Sequence, residues 1–140
     1  MKLIAAALAL VLAATVAFAD EAALGIKIYR QSGISYVTGG NGDEAKAFEQ
    51  IAKRYPVQIV FTVAGQHVDL EGVKVVVRDG KGDSVVEARS RGPLFYVNTP
   101  SGRWTFEAEF DGETIIKTKD LTGRRYLVLD FDFKSAPTAQ

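Results

Sequence analysis

A two-residue period in side-chain polarity constrains this chain more than any other feature. Between Arg103 and Phe110, the side chains Trp104, Phe106, Ala108 and Phe110 alternate with Arg103, Thr105, Glu107 and Glu109. A strand sends successive side chains to opposite faces, so this segment has one apolar face to hide and one face that accepts water. The same period runs through Val57, Ile59, Phe61 and Val63, then Val73, Val75 and Val77, and finally Leu127, Leu129, Phe131 and Phe133. Val86 and Ala88, Leu94–Asn98 and Thr114–Lys119 read as further strands, separated by the turns Asp79–Asp83, Gly92-Pro93, Pro100–Gly102 and Asp111-Gly112. Seven strands with hairpin-type connections and no helices between them describe a mainly β chain folded as an Ig-like or transthyretin-like (prealbumin-like) sandwich. Its core is expected at Phe61, Phe106 and Phe110 and to centre on Trp104.

One segment breaks this period. From Asp43 to Tyr55, residues Phe48, Ile51, Ala52 and Tyr55 fall at helical spacing and form one apolar stripe, with Phe48 as its core contribution. Asn41 with Glu44, or else Asp43 alone, is placed to cap the helix, and Pro56 ends it. Val60 and Val76, which face away from the strand core, are expected to lie under this helix. Upstream, Ile34–Thr38 reads as a short strand or an extended arm, closed by Gly39-Gly40-Asn41-Gly42.

The first residues have a different character. Met1-Lys2 supplies one positive charge, Leu3–Val16 is apolar and small throughout, and Ala17-Phe18-Ala19 places small residues before the acidic pair Asp20-Glu21. This is the pattern of a cleavable export signal cut after Ala19, and the apolar run is shorter than the roughly 20 residues that a spanning helix needs. Removing 19 of the 140 residues, Lys2 among them, leaves 121 with 16 basic against 17 acidic side chains. The organisation predicted is a signal peptide at 1–19, an extended segment at 20–40, helix plus sandwich at 41–134 and a tail at 135–140. A cysteine-free exported chain that forgoes disulfides fits a periplasmic or secreted location, with no transmembrane anchor after cleavage.

Composition narrows the chemistry. The absence of cysteine excludes thiolate metal sites, a cysteine nucleophile and a lipid-modified N-terminal cysteine. Balanced charge leaves no footprint for nucleic acid. His67 is the only histidine and sits in a Gly65-Gln66-His67-Val68 loop with no serine, cysteine or second histidine beside it, so a surface-loop role is expected. Asp130 and Asp132 share a strand face and, with Glu107 and Glu109, have the chemistry of a hard-cation cage, but solvated sheet-face carboxylates are the plainer reading. Asp79-Gly80-Lys81-Gly82-Asp83 has a lysine where a calcium loop needs an oxygen, and reads as a hairpin turn. Gly39–Gly42 before a helix suggests a phosphate cradle, yet Asp43-Glu44 would repel the anion. Arg89 and Arg91, with Arg103, Arg124 and Arg125, read as part of a mixed-charge face, and Tyr36, Tyr96 and Tyr126 as packing residues with a minor prospect of a sugar or peptide surface. His67, Tyr96, Arg89 and Arg91 are the candidate surface. No catalytic, cofactor-binding or metal-ligating set can be assembled, and no cofactor is expected.

Two stretches carry a resemblance. Gly72-Val-Lys-Val-Val-Val-Arg-Asp79 followed by a glycine turn, and Thr99-Pro-Ser-Gly-Arg-Trp-Thr-Phe-Glu-Ala108, are similar to the carboxypeptidase regulatory-like, transthyretin-like family of sandwiches, with Trp104 where tyrosine is commoner. Tyr36–Glu44 through Arg54-Tyr55-Pro56 also resembles the leader of small exported proteobacterial proteins that carry this sandwich. The resemblance implies an accessory domain that assists or recognises a partner protein, here one in the cell envelope. The family's hydrolase of 5-hydroxyisourate relies on several histidines and a C-terminal Tyr-Arg-Gly-Ser type tail, whereas this chain has His67 alone and ends Pro137-Thr-Ala-Gln140. The expectation is therefore a non-catalytic accessory or protein-interaction module, then a small-ligand or carbohydrate-binding protein, and last a minimal hydrolase.

Overall fold

The computed structural model describes residues 21–123 and 126–134. The predicted signal peptide, the tail at 135–140 and the pair Arg124-Arg125 lie outside the described residues. The fold is mainly β, with two sheets and one short helix. The first sheet is built from β1 (Tyr29–Gln31), β2 (Ile34–Gly39), β6 (Leu94–Val97), β3 (Val57–Val63) and β9 (Leu127–Phe133), in that spatial order. The second holds β5 (Ser84–Arg89), β4 (Lys74–Arg78), β7 (Arg103–Phe110) and β8 (Glu113–Asp120).

Among the described residues there are nine strands, where seven were expected. Within the segment expected to be extended, β1 and β2 form an edge of the first sheet. The connections also differ from a chain of hairpins: β3 pairs parallel with β9, from Val57 opposite Leu127 to Val63 opposite Phe133. β2 and β3 both pair antiparallel with β6, so they run parallel to each other with β6 between them. The helix α1 (Glu44–Ile51), continued by a tight turn over Ala52–Arg54, makes that crossover. A connection between parallel strands needs about a dozen residues and commonly uses a helix laid on the sheet.

The predicted inward faces meet in one core. Phe61, Phe95, Phe106, Phe131 and Phe133 are wholly buried, with Phe110 against Phe133 at 5.5 Å between ring centres. Trp104 belongs to this core but retains 8% exposure and donates its indole N–H to the Pro100 carbonyl at 3.0 Å. The centre is thus a phenylalanine cluster, and the indole closes one end, because its N–H needs a polar partner that the middle of the core lacks.

A second, smaller core lies on the outer face of the first sheet. Phe48, Ile51 and Tyr55 from the helical segment pack on Val37 and Tyr96, with Ile26 alongside. The predicted helical stripe is the buried one. Its capping differs: Asp43 makes no side-chain cap, the Glu44 carboxylate accepts from Gly40 N–H at 2.8 Å, and the Asn41 side-chain Oδ1 accepts from Leu70 N–H at 3.0 Å. Val76 is not under the helix, since β4 belongs to the opposite sheet. It is covered on that sheet's outer face, between Glu87 and Glu107 in register.

Candidate cleft at the start of the helix

The helix covers only part of the outer face. Beyond it, Val60 of β3 and Leu94 of β6 stand in register and half-exposed, forming the floor of a cleft of about 330 Å³. Ala45, in the first helical turn, forms one wall and the His67-Val68-Asp69 loop the other, with Pro93 closing the end. The two loops that frame it hold each other: Gly42 N–H donates to the Asp69 carboxylate at 3.2 Å and Leu70 N–H to the Asn41 side chain at 3.0 Å. These reciprocal bonds form the cleft without help from a ligand.

The local sequence explains this shape. Ala64 carries a positive φ of 50° and Gly65 one of 76°, which turns the chain sharply after β3 and sends residues 66–69 back across the sheet. The turn is fastened by Asp132 of β9, whose carboxylate accepts from the Thr62 hydroxyl and from Gly65 N–H, each at 2.7 Å. Those two donors hold the Asp132 carboxyl below the usual carboxylate range.

The candidate surface residues do not converge. His67 lines the cleft. Tyr96, read as a packing residue and also named as a surface candidate, packs: it is 5% exposed beneath the helix, because its strand position points to the face that α1 covers. Burial, with Glu49 nearby adding to it, pushes its phenol up to about 12. Arg89 lies on the outer face of the other sheet and Arg91 follows in the turn, where both border a separate groove of about 390 Å³ with Glu71, Gly72 and Ser90. Glu107 and Glu109 sit on β7 and Asp130 and Asp132 on β9, in different sheets, so the four-carboxylate cage does not form. Among the described residues, no three His, Asp or Glu side chains gather as metal ligands. Asp79 organises its hairpin by accepting from Lys81 N–H at 2.9 Å and Asp83 N–H at 3.0 Å. Tyr36 is buried in the main core, stacked between Tyr29 and Phe95, while Tyr126 is exposed.

The cleft itself was missed in the sequence, apart from His67. Its lining comes from four separated stretches, and the single signal was an outward-facing valine, Val60, in a strand whose neighbours pointed polar groups the same way. A buried acid was also missed. Glu21 is 4% exposed, accepts from the Tyr55 hydroxyl at 2.7 Å and pairs with Arg54 at 3.0 Å, fastening the start of the described chain to the end of the helical segment. Burial and that carboxylate together drive the Tyr55 phenol strongly upward. No described helix is long and apolar enough to cross a membrane. No family model matches the chain, and no curated protein matches it.

Proposed function

We propose that this chain is an exported, non-catalytic accessory module that binds a protein partner in the cell envelope, built on a carboxypeptidase regulatory-like, transthyretin-like sandwich of the Ig-like class. The observation that carries the reading is the cleft: an apolar floor of Val60 and Leu94, left open beside the helix and framed by loops already fastened to each other. Preformed apolar concavities with a few polar groups at the rim are where binding energy concentrates. The lining supports binding over turnover, since it offers one imidazole and one carboxylate but no hydroxyl, thiol or amine side chain to act as a nucleophile. A small-ligand reading has one point in its favour, the cleft's volume at the lower end of the ~300–1,000 Å³ range of ligand pockets. The carbohydrate version gains no support from the cleft, whose lining holds no aromatic ring, and of Tyr36, Tyr96 and Tyr126 the first two are buried.

The test is affinity capture of the tagged protein from an envelope extract of its own host, with mass spectrometry of bound proteins and small molecules. A stoichiometric partner that re-forms the complex when both proteins are purified supports the proposal. A co-purifying small molecule without a partner overturns it in favour of ligand binding. An activity lost in His67→Ala with the fold intact overturns it in favour of a hydrolase.

A further inference from the structure

The chemistry around the cleft specifies what it selects, an inference that rests on reading the cleft as the binding site. Its start at a helix N-terminus would ordinarily favour an anion. Here the first helical N–H groups are already engaged by backbone carbonyls, Glu44 N–H by Asn41, Ala45 N–H by Gly42 and Lys46 N–H by Asp43, and the N–H groups just before the helix are held by carboxylates, Gly40 by Glu44 and Gly42 by Asp69. Asp43 adds a further negative charge directly before the helix. On the open side, Asp130 of β9 stands in register with Val60 and shares its outward face, so a second carboxylate flanks the floor. Val128, two residues earlier on that face, is 49% exposed and extends the apolar surface. Against the carboxylates of Asp69 and Asp130, the lining sets the imidazole of His67 and no lysine or arginine.

We propose that the cleft receives a large apolar side chain from an exposed segment of the partner, adjacent in sequence to a lysine or arginine whose charge is met by Asp130 and Asp69. Val60, Leu94 and Pro93 take the apolar group, and the acidic rim selects its neighbour. The preference for a cation is directional: an acidic neighbour meets the same carboxylates as repulsion.

The experiment follows backbone amide shifts of the ¹⁵N-labelled full chain on titration with three capped tetrapeptides, Gly-Phe-Lys-Gly, Gly-Phe-Glu-Gly and Gly-Ala-Lys-Gly. The expected result is saturable movement of the Val60, Val68 and Leu94 amides with the first peptide, and binding about tenfold weaker or worse with the other two. Asp130→Asn, an exposed change that leaves the fold alone, is expected to weaken the Phe-Lys peptide by about three- to tenfold. Ala45→Leu, which fills the cleft from a helical position that favours leucine, is expected to abolish binding while distant amides keep their shifts. Equal binding of the Phe-Glu peptide, or shifts confined to other surfaces or absent, would overturn the proposal. The two proposals fail separately. A partner captured equally well by Ala45→Leu sinks the cleft inference and keeps the accessory module, whereas Phe-Lys binding at the cleft with no partner captured does the reverse.

Discussion

Asp132 shows how one exposed carboxylate can organise a turn. It accepts from a hydroxyl on the neighbouring strand and from the backbone of the loop that forms the cleft wall. Because its folded pKa is lowered, its stabilisation is present above the unfolded value near ~3.9 and is lost as pH falls through the folded value. The expected outcome is that the gap in urea midpoint between the native chain and Asp132→Asn, clear at neutral pH, closes as pH drops below about 4. Tyr96 works at the opposite end of the scale. Its folded value, pushed up to about 12, exceeds the unfolded value near ~10, so the native state holds the phenolic proton more tightly. Stability from this source is complete below about pH 10 and is lost as pH rises toward 12. Tyr96→Phe should therefore flatten the alkaline limb of the stability curve and remove a late step from the tyrosine absorbance titration.

Among the elements, the helix is the one whose stability is borrowed. An isolated eight-residue helix is marginal in water, and here its apolar stripe is held by Phe48 and Ile51, both with no exposed surface. Phe48 meets Tyr96 edge-on at 5.5 Å between ring centres. Its C-terminal end is tied down by the Gln58 side chain, which donates to the Ala52 carbonyl at 2.7 Å. Phe48→Ala should cost about 3–5 kcal/mol where the helix stays docked. Hydrogen exchange is expected to show the Glu44–Ile51 amides opening first while β4 and β7 keep their protection, since those strands belong to the other sheet. Uniform loss of protection would instead mean that the small core and the main core unfold together. The edge strands are managed by side chains. The Gln31 amide donates to the Glu87 carbonyl at 2.9 Å and accepts from its N–H at 3.0 Å, joining β1 of one sheet to β5 of the other. β8, which carries Lys117 and Lys119, is an edge of its sheet and meets the end of β9 where Lys134 N–H donates to Glu113 at 2.8 Å.

For the molecule as a whole, a single glycine controls how closely β2 and the start of β6 approach within the first sheet. A Cβ on Gly92 would lie 2.3 Å from the Gly39 carbonyl carbon and oxygen, a backbone approach that only glycine permits. Gly92→Ala must push β2 away from the start of β6, and a loss of about 1–3 kcal/mol is expected, read as a lower thermal midpoint. Because Leu94 lies two residues on, the same variant should also disturb the cleft floor, visible as shifts at Val60 and Leu94.

Much of this architecture was legible in the alternation of Val57–Val63, Arg103–Phe110 and Leu127–Phe133, and in the helical stripe of Phe48, Ile51 and Tyr55. Period and spacing are local properties, and they name the face that must be hidden whatever lies against it. β2 was legible as a short strand or an extended arm over Ile34–Thr38, but its place inside the first sheet was not, because it is buried on both sides, by Tyr36 toward the main core and Val37 toward the helix, which erases the alternation. The partner of each hidden face was decided only by tertiary structure. Tyr96 faces a helix instead of solvent, Val76 lies on the sheet the helix does not touch, β3 takes a parallel neighbour from 70 residues along, and the cleft gathers residues from four stretches of chain. Those pairings depend on which surfaces exclude water together, a property of the folded whole that no segment carries alone.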